Sequence, residues 1–101
     1  MQLQKYRWSR DYESAEEELA GFLATKSIIA SRWAAIEYQE FSEHTHAYDK
    51  QLWCVEGSIQ FIVGSQPFSI QPGDTLDSPA GTTHSAQAGF AGCVCYETYS
   101  E

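Results

Sequence analysis

Two hydrophobic periods divide the chain. In SAEEELAGFLATK, Leu19, Phe22 and Leu23 recur at helical spacing and give one apolar stripe. Ser14 followed by Glu17 is a capping-box pair, and Glu16, Glu17 and Glu18 fall in the first turn, where the helix dipole favours acidic groups. The pattern predicts a short amphipathic helix over about residues 14–26. Before it, Leu3 to Trp8 alternates well enough for a short strand.

After the helix the period falls to two. Ser27 to Phe41 carries Ile, Trp, Tyr and Phe in strand-like order, and QLWCVEG ends at Gly57. Ile59, Phe61 and Val63 alternate up to the turn Gly64-Ser65-Gln66-Pro67, and Phe68 and Ile70 then share a face. Pro72-Gly73-Asp74 makes the next turn, and CVCYETY is the last strand. Short strands parted by Gly and Pro turns predict an antiparallel sandwich or barrel. The expectation is one all-β domain over residues 1–101, with a barrel from about 28 to 99 and the helix as an ornament on it.

Charge narrows the partners. Fourteen acidic residues stand against six basic ones, for a net charge of −8. With no Lys/Arg cluster to neutralise phosphates, nucleic acid is not an expected partner, and the same sign argues against an anionic membrane surface. No run approaches the roughly 18 apolar residues of a membrane span. The first ten residues, MQLQKYRWSR, lack the apolar core of a signal peptide, so a cytoplasmic protein is expected. Cys54, Cys93 and Cys95 are an odd count in such a chain and read as reduced thiols. Cys93 and Cys95, two apart, share one strand face, where small buried residues are the expectation.

Candidate chemistry gathers on the histidines. In EHTHAYDK, His44 and His46 are two apart, so a strand presents both imidazoles on one side, as gripping one metal ion requires. An H-x-H pair alone is weak, because such pairs occur by chance on exposed strands. The third and last histidine, His84, closes PGDTLDSPAGTTH just after the turn at Pro79 and Gly81.

These two stretches resemble the motifs of the cupins. The second cupin motif, G-x5-P-x-G-x2-H-x3-N, is matched by Gly73, Pro79, Gly81 and His84. The first, G-x5-H-x-H-x3,4-E-x6-G, is matched by His44, His46 and Gly57. The resemblance spans about Tyr38 to Ala88 and takes in every histidine of the chain. It implies an antiparallel double-stranded β-helix, or jelly-roll barrel, holding one divalent transition metal (Fe, Mn, Ni, Co, Cu or Zn) on His44, His46 and His84. Cupins commonly dimerise, so a homodimer is expected, with aromatic residues such as Trp33 and Trp53 available to its interface. Core between the sheets is the competing reading of Trp53.

Three motif positions differ. Tyr38 replaces the first glycine, a tolerable change on a strand, and Ala88 replaces the asparagine. The third is the glutamate, whose place falls on Lys50 or Gln51. A protonated lysine has no lone pair for a metal, and two positive charges ~4 Å apart repel by about 4 kcal/mol at an effective dielectric near 20. Lys50 therefore points away, or loses its proton, or meets an anion that also binds the metal. Gln51 offers a neutral oxygen as a weak fourth ligand, although a one-residue slip turns it to the other face. Tyr48, Asp49 and Glu43 lie close enough in sequence to support the ligating imidazoles. Cys54, inward beyond Lys50, reads as core rather than nucleophile.

The resemblance includes three-histidine members without the glutamate, several of them iron-dependent dioxygenases of small molecules. The leading expectation is a metal-dependent enzyme acting on a small anionic or oxygen-chelating molecule, with dioxygenase-like chemistry first and isomerisation or decarboxylation behind it. In it, Lys50, Tyr48 and Gln51 are the candidate substrate-contacting or catalytic residues. The alternative is a non-catalytic module that senses a metal or metabolite; a vestigial barrel is a weaker third class.

Overall fold

The computed structural model describes residues 1–8 and 15–100. The expected cap, Ser14, lies outside them. The elements are β1 (Gln4–Arg7), α1 (Ala15–Thr25), β2 (Ser31–Ala35), β3 (Glu40–Thr45), β4 (Asp49–Val63), β5 (Gln66–Ile70), β6 (Asp74–Ser78) and β7 (Thr83–Ser100). Every strand pairing is antiparallel. No described helix is long and apolar enough to cross a membrane.

The two long strands organise the rest. β4 and β7 pair from Asp49 opposite Ser100 to Ile62 opposite Ser85, with register shifts between Cys54 and Glu56 and again between Gly57 and Ile59. Extra residues of this kind bend a strand and increase its twist. The first half of β4 and the last half of β7 therefore lie with β1, β6 and β2, while the other halves lie with β5 and β3. The bend needs glycine. Gly57 and Gly92 both have positive φ (72° and 71°), and a Cβ on Gly57 would stand 2.1 Å from the Gly92 carbonyl oxygen.

Inward side chains from both layers meet in one core. Leu52 and Cys54 before the bend pack with Ile59, Phe61, Ile70, Leu76, Ala86, Ala88, Cys93 and Cys95. A bent antiparallel sheet closed on a shared apolar core is the jelly-roll architecture.

The helix is more than an ornament. Leu19 and Leu23 are buried against Trp53 and Val55, on the face of β4 opposite to Leu52 and Cys54. Trp53 thus lies neither between the sheets nor free for an interface; α1 covers it. Phe22, expected in the apolar stripe, is largely exposed, so the buried face is the narrower Leu19–Leu23 pair. Glu16 fastens the helix to the sheet, accepting from Arg32 Nε at 2.7 Å and from the Tyr96 hydroxyl at 2.8 Å. Trp33, the other aromatic considered for an interface, faces the interior and meets Phe41 edge-on.

The stretch Ser27 to Phe41 is not one strand. It breaks into β2 and β3 around a turn in which Gln39 N–H donates to the Ile36 carbonyl at 3.1 Å. Tyr38 sits in that turn with φ 55°, in the left-handed region. The motif glycine is therefore a turn position, and its replacement carries strain that a strand position would not.

Candidate metal centre and pocket

β3 and β7 bring the histidines together. His44 lies directly opposite His84, and their ring centroids are 4.3 Å apart. His46, just beyond β3, has its ring 4.8 Å from that of His44 and 5.6 Å from that of His84. One nitrogen from each ring falls within 4.8 Å of the others, so the three could hold one metal ion. A register shift between Phe41 and His44 lets these two residues, three apart, both face inward.

The second motif's turn is locked to the first. Gly81 N–H donates to the His46 carbonyl at 2.8 Å, and Ala80 N–H donates to Asp49 Oδ1 at 2.8 Å. Gly81 has φ 83°, the left-handed conformation that tightens this turn before His84. Asp49 thus positions the loop rather than a ring nitrogen. Glu43 is exposed on β3.

Hydrogen bonds orient the rings. His44 Nδ1 lies 2.7 Å from the Ser42 carbonyl, and His84 Nδ1 lies 3.2 Å from the Thr82 carbonyl. A carbonyl only accepts, so both rings donate from Nδ1 and carry their lone pair on Nε2. Tyr48 places its hydroxyl 2.9 Å from His46 Nδ1. His84 Nε2 is fully buried and has no hydrogen-bond partner among the described residues. Burial and then the Lys50 charge push His84 down to about 4 and lower His46 as well. Neutral imidazole with a free Nε2 is the form that ligates a metal, so the donor set fits one. His84 Nε2 would otherwise be an unexplained loss.

Beside the histidines opens a cavity of about 350 Å³. Ile59, Phe61 and Ala86 form its apolar side, with Trp33 and Phe41 as aromatic walls. Lys50 points into it, with only 5% of its side chain exposed. Gln51 does not: one residue on, the pleat turns it to the opposite face, where its amide donates to Asp77 Oδ1 at 3.0 Å. It cannot serve as a fourth ligand from there. Cys54, Cys93 and Cys95 are buried free thiols of the apolar core, and hydrogen bonding with Cys54 and Cys93 raises Cys95.

One pocket residue escaped sequence reasoning. Glu97 of β7 faces the cavity with its Oε1 3.4 Å from Lys50 Nζ, while its Oε2 accepts from the Tyr99 hydroxyl at 2.9 Å. A signal existed, because Glu97 continues the inward alternation of Cys93 and Cys95.

A bent double layer with both histidine stretches at one end is a known arrangement. The chain has the cupin fold. It is similar to an RmlC-like cupin from Shewanella frigidimarina (TM-score 0.63, 21% identity), with 70% of this chain aligned to 63% of that one. It is also similar to a DUF861 family protein from Thermotoga maritima (TM-score 0.70, 14% identity), over 98% of this chain and all of the other. The DMSP lyase DddQ from Ruegeria pomeroyi shares the fold at TM-score 0.66 and 18% identity, but 71% of this chain spans only 37% of that enzyme. No protein-family profile and no curated protein sequence matches the chain.

Proposed function

We propose that this cupin is a metal-dependent enzyme acting on a small, anionic or oxygen-chelating molecule. The observation that carries the reading is the buried, unpartnered Nε2 of His84, facing two further imidazoles. His44, His46 and His84 would hold one divalent transition metal through Nε2, with Tyr48 accepting from His46 Nδ1. Such a centre supplies Lewis acidity and open positions for dioxygen or a bidentate oxygen ligand, which makes dioxygenase-like chemistry the leading class.

The protein's own contribution is the pocket. Lys50 is almost wholly buried, and among the described residues its one charged contact is the 3.4 Å approach of Glu97. That is longer than the 2.7–2.9 Å usual for a charge-assisted hydrogen bond, so the ammonium keeps donors for an anionic oxygen. Phe41, Phe61 and Ile59 shed water around the ligand. A lyase on the same fold supports an enzymatic reading over a sensing module.

Bound metal in the purified protein and in His84→Ala tests the centre. About one transition metal per wild-type chain, strongly reduced in the variant, is expected. No metal in either, after incubation with iron, manganese, nickel and zinc, removes the centre. Turnover against a panel of diketones and hydroxy acids then separates enzyme from sensor, since a sensor gives melting shifts without product.

A further inference from the structure

Lys50 and Glu97 together pose a charge problem for any anionic ligand. The pair is already neutral, and both ends line the same cavity as His44 and His46. A preformed anion arriving beside Lys50 would also meet the Glu97 carboxylate. In a low-dielectric pocket that repulsion cancels much of what Lys50 offers. A neutral acid escapes the conflict if its proton passes to Glu97. The Lys50–carboxylate pair is then exchanged for a Lys50–ligand pair, and no net charge is added to the buried site.

The geometry around Glu97 is arranged for this. Oε2 is occupied by the Tyr99 hydroxyl at 2.9 Å, while Oε1 has, among the described residues, only the long contact to Lys50 Nζ and is the open acceptor. Glu97 and His46 line the same cavity.

Resting on the metal-centre reading above, we infer that Glu97 accepts the proton released when an oxygen acid chelates at the histidine end of the pocket. The ligand class is therefore compact O–H acids with an adjacent carbonyl: enols of diketones, enediols and hydroxamic acids. In the step, the ligand O–H bond breaks and its electron pair stays on the oxygen, which Lys50 and a metal on the three histidines would hold. The proton forms a new O–H bond at Glu97 Oε1. Phe41 and Phe61 supply apolar walls for the carbon body of such a ligand. The charged and titratable groups around Glu97 are Lys50 from β4, Tyr99 from β7, and His46 and Tyr48 from the β3–β4 connection.

The test uses benzohydroxamic acid, a bidentate oxygen acid with a single ionisable proton, and full-length protein loaded with zinc. Titration calorimetry in two buffers of different ionisation heat, below the pH at which the probe ionises, counts the protons released on binding. The wild type is expected to release close to none, with Kd nearly constant over a pH unit. Glu97→Gln should release close to one, its Kd improving about tenfold as pH rises by that unit. Glu56→Gln, which removes an exposed carboxylate outside the pocket, should behave as the wild type. Wild-type release of one proton, or equal release in wild type and Glu97→Gln, overturns the role of Glu97. Zinc-loaded wild type that ignores the probe overturns the ligand class. Wild type that takes up no metal instead overturns the centre on which both depend.

Discussion

His44 and His84 stand directly opposite each other on β3 and β7, and the hydrogen bonds from their Nδ1 atoms leave both Nε2 atoms as lone-pair donors. The cost of this arrangement is paid at His84. Burial followed by the Lys50 charge lowers its pKa from 6.5 to about 4. In metal-free protein the unfolded chain therefore binds a proton more readily than the fold. This contribution to stability is fully present above pH 6.5 and is lost as pH falls through 4. A loss on the order of 2 kcal/mol is expected. Urea melts of metal-free wild type and His84→Asn at pH 7 and pH 4.5 check it, with the wild type losing more.

Lys50 is the departure from the cupin motif that most changes the pocket. Lys50→Met should hold metal at least as tightly, because a repelling charge is gone from beside His84 and His46. The same variant should bind benzohydroxamic acid at least tenfold more weakly when metal-loaded, since a charged hydrogen bond contributes about 1.5–3 kcal/mol. Unchanged benzohydroxamic acid affinity would remove Lys50 from the ligand site.

Tyr38 carries strain in the β2–β3 turn. Its left-handed backbone costs roughly 1–2 kcal/mol for a non-glycine residue, against about 0.5–1 kcal/mol for the added freedom of glycine in the unfolded chain. The side chain is 60% exposed, so little burial is lost. Tyr38→Gly is expected to stabilise the protein by about 0.5–1 kcal/mol, read as a rise in the urea midpoint at constant slope.

Leu19 anchors the helix on Trp53. It is wholly buried, and Leu19→Ala should cost about 2–5 kcal/mol. Tryptophan emission should shift to the red as Trp53 gains water, while metal content stays at the wild-type level because α1 packs on the face of β4 opposite to the cavity that His44 and His46 line. Loss of metal in step with the red shift would show that the helix supports the centre.

The divide between what the chain's order of residues dictated and what folding added follows from distance along the chain. Local signals are read locally. The period-two stretches, the Gly and Pro turns, the helix stripe and the three histidines with their spacing to Gly57, Pro79 and Gly81 all depend on a few neighbouring residues, and they led to an all-β cupin fold with His44, His46 and His84 together. Strand alternation alone set Lys50 and Gln51 on opposite faces, but which face was inward needed the core around Leu52 and Cys54. Only the tertiary structure could place α1 over Trp53, because a residue's cover comes from 30 or more positions away and has no period to announce it. The turn at Tyr38 was hidden within a run of strand-forming side chains, whose hydrophobic pattern does not report a positive φ. Glu97 beside Lys50 is the clearest case. Their meeting depends on the register of β4 against β7, which the bulges around Gly57 adjust and which the core, packed on both sides of the bend, fixes.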